Sequence, residues 1–377
     1  MNKINVGIIG VGFVGGAHIE ALRRLGYVNI KAIAINDENL AKEAANKYGI
    51  SKYYTDYHDL LNDCDIDVVH NCTPNNLHYT INKDIILSKK HILSEKPLTM
   101  TIEESEELLS LISKIPVVNG VNFIYRQYPI IQQIRSMILN NELGNIYAIH
   151  GSYLQDWLMY DTDYNWRVES KLGGPSRVMA DIGSHWCDMA QYLLNSDIVE
   201  VMADLSTVIP VRKKPANLAL TFSNESSKIN EPVNVDTEDF GTVLLKFDNG
   251  VKGSFVASQI SAGRKNMFTI EIDGSKASVY WNQEAPQLLW IGHRNKPNEY
   301  MICDPSLLNT NAKEFNYYPG GHNEGWPDAL KNMMSNFYKT ILYNEEIKFA
   351  TFEDAYKTMK VVNAILKSNY TRSWQKI

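Results

Sequence analysis

The chain has 377 residues, of which 44% are hydrophobic and 21% are charged, and its formal net charge is −6. The chain is longer than a single compact domain usually is, so the length predicts two domains. The composition is typical of a globular protein. The negative charge gives no reason to expect nucleic acid or an anionic membrane as a partner. Without a long apolar run or CxxC spacing among the four cysteines, we expect a cytoplasmic protein in a reducing setting.

The N-terminal residues combine an apolar stretch with a glycine-rich turn. Residues 4–9 predict a buried strand, and residues 10–15, GVGFVG, lead into a helix that starts near residue 17. A dinucleotide site requires this order, because the glycines allow a tight turn, an approach to the pyrophosphate and close packing of the helix, whose N-terminus binds the phosphates. A structural glycine turn is the alternative reading. The cofactor-binding candidates of this loop are Gly10, Gly12, Phe13, Val14 and Gly15.

The residues at the end of the second predicted strand help to distinguish NAD from NADP as the cofactor. A carboxylate that contacts the ribose is expected about twenty residues after the last glycine, and the sequence there reads Ala34-Ile35-Asn36-Asp37. Either Asn36 or Asp37 could make this contact, depending on where the strand ends. Because no arginine stands nearby to pair with a 2′-phosphate, NAD is favoured over NADP, which stays possible.

Strands and helices alternate from the N-terminus to about residue 123. Such alternation predicts a parallel sheet covered by helices, whose ligands bind beyond the carboxyl ends of the strands. A capping box of Thr101 and Glu104 marks the start of one helix. Two segments directly follow predicted strands and should line the cleft. They are Thr73-Pro74-Asn75-Asn76 and Glu95-Lys96-Pro97.

The pattern changes after a helix at residues 129–139. Successive strands now run from residue 145 to residue 292, with turn signals at residues 248–250 and 273–274, which predicts an antiparallel sheet. Helices are expected at residues 178–194, 326–343 and 352–368, and a polar surface excursion at 212–236. The predicted fold is therefore an α/β Rossmann dinucleotide-binding domain (1–124) plus an α+β domain (125–377) with a large, mainly antiparallel open sheet.

Two groups of residues are candidates for chemistry. On a helix, Asp181, His185 and Asp188 would share one face at i, i+4 and i+7, and a carboxylate one turn from an imidazole can orient a general base. A solvated Asp–His pair on a helix face is the alternative. Lys96, after a strand of the Rossmann domain, could stabilise negative charge on a substrate oxygen; alternatively it is a surface lysine. The nine histidines show no HExxH spacing, so no metal is expected.

Taken together, the motifs resemble the Gfo/Idh/MocA family of sugar and inositol oxidoreductases. The resemblance runs the length of the chain. It includes the glycine loop, Cys72-Thr73-Pro74-Asn75 with His78, Glu95-Lys96-Pro97, Tyr125-Arg126 with Pro129, Asn165-Trp166-Arg167, and Asp181 with Gly183 and His185. The segment from Gln155-Asp156-Trp157 to Trp166-Arg167 is most similar to a levoglucosan-dehydrogenase-like branch. Ile35 departs from the pattern, because many members have the ribose-binding Asp there.

The resemblance implies the roles of particular residues. The catalytic set is Lys96, Asp181 and His185. Further cofactor-binding residues are Asn36, Asp37, Thr73, Pro74, Asn75, His78, Glu95, Lys96, Trp166 and Arg167. Besides the catalytic set, the candidate partners of a polyol are Tyr125, Arg126, Gln155, Asp156, Trp157 and His322. The resemblance also implies that the α+β domain (125–377) is the substrate-binding and oligomerisation domain, whose open sheet forms a homodimer or homotetramer.

The expected reaction is the oxidation of a secondary alcohol of a sugar, anhydrosugar, glycoside or inositol to a ketone, with hydride transfer to NAD. His185 would remove the hydroxyl proton, Lys96 would stabilise the alkoxide, and Asp181 would set the imidazole tautomer. Two alternatives stay open. One is a non-catalytic NAD(P)-sensing regulator with the same fold, and the other is an enzyme that cycles a tightly bound NAD.

Overall fold

The computed structural model describes residues 4–215 and 230–377. Contacts divide the chain into a first unit, Met1–Phe123 with Leu330–Tyr356, and a second unit, Ile124–Ala329 with Lys357–Ile377. The domain boundaries drawn from the sequence did not assign Leu330–Tyr356 to the first unit.

The first unit begins as an alternation of strands and helices. Its elements up to residue 123 are β1 (Ile4–Ile9), α1 (Phe13–Arg23), β2 (Val28–Ala34), α2 (Glu38–Lys47), β3 (Tyr53–Tyr54), α3 (Tyr57–Asn62), β4 (Val68–Asn71), α4 (Asn75–Leu87), β5 (His91–Ser94), α5 (Ile102–Ile112) and β6 (Asn119–Val121). The six strands form one parallel sheet in the order β3-β2-β1-β4-β5-β6. The strand order reverses between β1 and β4, which is where dinucleotides bind in such sheets.

A later part of the chain completes this unit. Helices α10 (Trp326–Tyr343) and α11 (Phe352–Thr371) both contribute residues to it. The backbone N–H of Val121 donates to Ala350 O at 2.8 Å, and the N–H of Phe352 donates to the Asn119 side chain at 2.9 Å. Phe337 is also fully buried. The edge of the sheet at β6 is therefore covered by residues more than 200 positions away in sequence.

The second unit contains the eleven remaining strands of the described residues. Its elements are two 3₁₀ helices (Ile124–Gln127, Trp166–Val168), α6 (Pro129–Leu139), β7 (Ile146–Leu154), α7 (Ser170–Gly173), a π-helix (Met179–Gly183), α8 (Ser184–Leu194), β8 (Ile198–Ser206), β9 (Val211–Pro215), β10 (Asn230–Asn234), β11 (Phe240–Phe247), β12 (Lys252–Ser258), β13 (Met267–Gly274), β14 (Ser278–Asn282), β15 (Leu288–Gly292), β16 (Glu299–Ile302), α9 (Thr310–Lys313) and β17 (Gln375–Lys376).

Nine of these strands form a mixed sheet. The order is β16-β15-β14-β13-β7-β12-β11-β8-β17, and all pairs are antiparallel except β7 with β12. Helix α8 packs on this sheet through Trp186, whose ring stacks on Phe255 with centroids 4.6 Å apart. The Trp186 indole N–H also donates to Thr269 O at 3.2 Å. These contacts fix the turn of α8 that includes His185. The predicted fold class, a Rossmann unit plus a mainly antiparallel sheet unit, is confirmed.

The segment expected to be a polar surface excursion, 212–236, is partly ordered and buried. Strands β9 and β10 pair antiparallel, while residues 216–229 lie outside the described part of the chain. Arg212 is fully buried and donates to three backbone carbonyl groups, those of Leu158, Tyr160 and Asp163. The expectation was wrong for Arg212, because five donors on one guanidinium can satisfy a buried turn of backbone that a hydrophobic side chain cannot.

Within the described residues, the helices include none that is both long and apolar enough to cross a membrane.

Candidate active site

The glycine loop between β1 and α1 leaves room for a ligand at the helix N-terminus. Gly10 has a φ of +83°, and a Cβ there would lie 2.8 Å from Cys72 O. A Cβ on Gly15 would lie 2.2 Å from Gly10 O, whereas one on Gly12 would meet nothing within 4 Å. No side chain caps α1 at Gly12. The loop thus packs tightly on the protein side and is open at Gly12, at the N-terminus of α1, which fits the pyrophosphate of a dinucleotide.

The ribose candidates follow the end of β2. Asn36 and Asp37 are both exposed, and the Asp37 carboxylate caps α2 by accepting from the Leu40 N–H at 2.9 Å. No arginine occurs between residues 25 and 56. Among the residues that follow β2, these two side chains therefore remain the candidates for the ribose hydroxyl groups.

His78 joins the two loops that follow β4 and β5. Its Nδ1 lies 2.6 Å from Pro97 O and its Nε2 lies 2.8 Å from Thr73 O. The side chain is buried, and burial lowers its pKa more than the two backbone hydrogen bonds raise it. The side-chain oxygen of Asn71 also accepts a hydrogen bond from the Thr73 hydroxyl at 2.7 Å, which stabilises the loop after β4. His78 therefore fixes the spacing between the loops at Thr73 and Pro97, both of which were predicted to line the cofactor cleft.

Glu95, next to Lys96, faces the interior of the first unit. Its Oε1 lies 3.0 Å from His18 Nε2 and accepts from Asn122 Nδ2 at 2.6 Å. Its Oε2 accepts from the backbone N–H of Lys96 at 3.3 Å. Burial raises the pKa of Glu95, but the hydrogen bond and charge of His18 outweigh burial and the net pKa is lowered. An ionised Glu95 thus holds the backbone at Lys96, whose peptide bond to Pro97 is cis.

A chain of buried polar groups extends from Glu95. His18 Nδ1 lies 3.0 Å from His70 Nδ1, and His70 Nε2 lies 2.9 Å from the Tyr338 hydroxyl. Burial, followed by the charge of His18, lowers the pKa of His70 well below its ordinary value. Sequence reasoning found only Glu95 of this set, since its members lie far apart in the chain.

The second unit places Asp181 and His185 on different helical segments. Asp181 lies in the π-helix and His185 in the first turn of α8. Oδ2 of Asp181 accepts from Gln259 Nε2 at 2.9 Å, and Oδ1 lies 3.6 Å from Arg167 Nε. The helix predicted over 178–194 is present, but residues 179–183 are π-helical and the α-helix begins at Ser184. A π-turn inserts one residue and is frequent at functional sites.

Asp188 was predicted to share a helix face with Asp181 and His185, but its carboxylate is paired with an arginine. Its carboxylate accepts two hydrogen bonds from Arg126, from Nε at 2.8 Å and from NH2 at 2.6 Å. Both side chains are buried, and the guanidinium lies 4.7 Å from the centroid of the Tyr192 ring. The structure therefore places Arg126, which the sequence proposed as a substrate partner, in a buried ion pair.

His185 lies among aromatic rings. The Tyr125 ring is nearly perpendicular to it with centroids 5.0 Å apart, and the Tyr153 ring is tilted at 6.3 Å. His185 is 7% exposed. Burial, partly offset by the hydrogen bonds with Tyr153 and Asn266, raises the pKa of Tyr125 to about 12. Both tyrosines thus stay protonated around the imidazole at neutral pH.

Two of the proposed polyol partners near the end of β7, Trp157 and Gln155, are hydrogen-bonded to each other. Trp157 donates its indole N–H to Gln155 Oε1 at 2.8 Å, and Gln155 Nε2 donates to Asn266 Oδ1 at 2.8 Å. Asp156 accepts from Lys265 Nζ at 2.7 Å. Trp166 and Arg167 form a separate pair, with the guanidinium 4.3 Å from the indole centroid. His322 is exposed in a turn at residues 319–322.

Three side chains of this region were missed by sequence reasoning: Tyr153, Gln259 and Asn266. Each lies within or beside a strand, where a polar residue is as common on a solvated face as in a site. Their hydrogen-bond partners are 28 to 141 positions away, so no local spacing could have identified them.

The order of the parallel strands reverses between β1 and β4, next to the open glycine loop. This combination defines a protein that binds a nicotinamide or flavin dinucleotide. The comparisons narrow this class. Residues 4–123 match the model of the oxidoreductase family with an NAD-binding Rossmann fold, and residues 131–280 match the GFO/IDH/MocA C-terminal domain.

Similar proteins span the whole chain. Levoglucosan dehydrogenase of Pseudarthrobacter phenanthrenivorans is 34% identical, covering 99% of this chain and 98% of that protein. Glucose-6-phosphate 3-dehydrogenase of Bacillus subtilis is 24% identical, covering 97% and 96%. A solved levoglucosan dehydrogenase in complex with NADH and L-sorbose has a TM-score of 0.90 at 29% identity, covering 100% and 99%. The chain belongs to the Gfo/Idh/MocA family and is an NAD-binding oxidoreductase.

Proposed function

We propose that this protein oxidises a secondary alcohol of an uncharged sugar, anhydrosugar, glycoside or inositol to a ketone. The observation that carries the proposal is the His185 imidazole, held between Tyr125 and Tyr153 beside a set of polar groups suited to hydroxyl recognition. The full-length similarity to a levoglucosan dehydrogenase supports it.

The proposed roles of the residues follow from their chemistry. His185 removes the hydroxyl proton, and Asp181 sets the imidazole tautomer. Lys96, as a cation, stabilises the negative charge that develops on the substrate oxygen. NAD, when bound at the glycine loop, supplies the acceptor for the hydride that leaves the carbinol carbon.

An uncharged substrate is favoured over a sugar phosphate by the pairing of three cations among and beside the candidate site residues. Arg126 is paired with Asp188, Arg167 with Asp181, and Lys265 with Asp156. A phosphate dianion would have to compete with a carboxylate for each of these cations. Neutral hydroxyl groups, by contrast, can share the remaining donor and acceptor capacity of these side chains.

A substrate screen tests the proposal. Cyclitols, aldoses, anhydrosugars, glycosides and glucose 6-phosphate are each incubated with NAD⁺ and with NADP⁺, and NADH or NADPH formation is followed by its near-ultraviolet absorbance. We expect turnover of an uncharged polyol with NAD⁺ and little with glucose 6-phosphate. Preference for the phosphate would overturn the uncharged-substrate proposal.

The same screen separates the alternatives. Protein that retains nicotinamide absorbance after dialysis, and forms no net NADH with any polyol, would indicate an enzyme that cycles bound NAD. Protein that binds NADH but transforms none of these compounds under either condition would indicate a sensor.

A further inference from the structure

Asn266, the residue before β13, connects the side chains that surround His185. Its side-chain carbonyl accepts from the Tyr153 hydroxyl at 2.7 Å and from Gln155 Nε2 at 2.8 Å. Its amide group donates to the Tyr125 hydroxyl at 3.1 Å. One amide therefore contacts both tyrosines that pack on His185 and one candidate polyol partner.

The direction of each hydrogen bond can be assigned. Tyr153 has one hydroxyl proton and donates it to Asn266, so the 2.5 Å contact between the two hydroxyl groups is donated by Tyr125. The amide of Asn266 then donates to Tyr125. The three groups form a closed cycle in which each donates once and accepts once. Hydrogen bonds in such a cycle polarise and strengthen one another.

The cycle restricts the orientations of its members. Tyr125 and Tyr153 are 4% and 3% exposed, so a displaced hydroxyl group would lose its partner without gaining water. The amide of Gln155 is fixed at both ends, because Trp157 donates to its oxygen and its nitrogen donates to Asn266. Removing the Asn266 amide would release the two tyrosines and Gln155 together.

We propose that Asn266 is a positioning residue of the substrate site. It acts on the His185 ring through Tyr125 and Tyr153, and on polyol binding through Gln155, without itself touching the substrate. This inference deepens the proposed function and rests on it for the identity of the substrate.

Two substitutions test the role by kinetics. In Asn266→Asp the carboxylate still accepts but cannot donate to Tyr125, whereas Asn266→Ala removes all three contacts. We expect Asn266→Ala to raise KM for the best substrate at least about tenfold, with a smaller fall in kcat and NADH affinity within about twofold of wild type. Asn266→Asp should lie between the two. The matched control is Asn140→Ala, an exposed asparagine of the same unit that donates to Glu142, with wild-type kinetics expected.

Coupling distinguishes a shared cycle from separate effects. Because Tyr153→Phe already opens the cycle, adding Asn266→Ala to it should lower kcat/KM by a smaller factor than Asn266→Ala does in the wild-type protein, and the loss that remains reflects the contact with Gln155. Fully additive effects of the two substitutions would overturn the proposal. If Asn266→Ala fails to fold, Asn266→Asp combined with Tyr153→Phe provides the same comparison.

A readout that needs no substrate separates this inference from the proposed function. The ring resonances of histidine-labelled protein are recorded by NMR, and that of His185 is assigned by its loss in His185→Gln. We expect Asn266→Ala and Tyr153→Phe to shift this resonance and Asn140→Ala to leave it in place. A shift in protein that oxidises none of the sugars would refute the proposed function but retain the positioning role. An unchanged resonance together with unchanged KM would refute the positioning role in an active enzyme.

Discussion

Lys96 and His185 differ in the surroundings that the fold gives them. Lys96 is half-buried after β5, beside the ionised Glu95, while His185 is nearly enclosed by tyrosine rings. Under the proposed function, Lys96→Ala and His185→Ala should each lower kcat by about two to four orders of magnitude. NADH binding, measured by fluorescence titration, should stay intact. The exposed Lys296→Ala, at a lysine paired with Glu299 on the surface, serves as the control for a lost positive charge. Wild-type kcat in either test variant would refute the assignment.

His70 makes the stability of the first unit depend on pH. Its folded-state pKa is depressed by burial, so the unfolded chain binds a proton that the folded unit does not. This contribution to stability is complete above about pH 6.5 and is lost as the pH falls below that value. Between about pH 7.5 and about pH 5.5, the fall in Tm should be smaller in His70→Gln than in wild type. Parallel Tm curves for the two proteins would contradict this assignment.

The buried ion pairs of the second unit connect separate elements. Arg177, which precedes the π-helix, lies 3.4 Å from Asp239, and Arg212 of β9 lies 3.7 Å from the same carboxylate. All three side chains are fully buried. Burial lowers the pKa of Arg212 to about 10, with the charge of Arg177 adding to this effect. Asp239 therefore stabilises two desolvated cations at once.

Removing that carboxylate charge should be costly. Asp239→Asn is expected to lower the free energy of unfolding by about 3 to 5 kcal/mol, because two buried cations lose their counter-ion. The matched control is Asp204→Asn, whose partner Arg372 is exposed, and which should change stability by less than about 1 kcal/mol. Urea unfolding monitored by circular dichroism provides the comparison. Equal effects of the two substitutions would contradict the importance of burial.

Local sequence signals predicted the elements that depend on local chemistry. The capping box of α5 is confirmed, with Thr101 accepting from the Glu104 N–H and Glu104 accepting in return. The strands and helices before residue 123 follow hydrophobic periodicity. The π-helix was not predicted, because the one extra residue in its turn does not change the hydrophobic periodicity of the sequence enough to be recognised. Strand β9 was missed because Arg212 reads as a solvent-facing residue in sequence.

Only the part of the candidate site that depends on local sequence was predicted. The glycine loop has a fixed local spacing, and its geometry is set within a few residues and Cys72. The partners of Glu95, by contrast, come from α1 and from residue 122. Those of Gln155 come from residue 266 and from Trp157. Such contacts are decided by how the chain folds back on itself, which a single sequence does not reveal.

At the scale of the whole molecule, we propose that the nine-stranded sheet joins copies of this chain into a dimer or tetramer. Leu244, on β11 of that sheet, is 51% exposed, as an apolar side chain in an interface would be in a single copy. Leu244→Glu should shift sedimentation velocity toward smaller species. Leu87→Glu, at an equally exposed leucine of α4 in the first unit, is the control. Wild-type protein that sediments as a monomer at every concentration would refute the proposal.

The covering of β6 by residues 330–356 has a consequence for synthesis. A ribosome that has released only the first 329 residues has produced the six strands of the Rossmann sheet, but not Tyr338, the end of its buried histidine chain, nor Ala350, the acceptor for Val121. Phe337, Phe349 and Phe352, all buried in the finished protein, are still to be made. We therefore expect a nascent chain arrested at that length to be cleaved by protease within the first 123 residues, and the full-length chain to resist cleavage there.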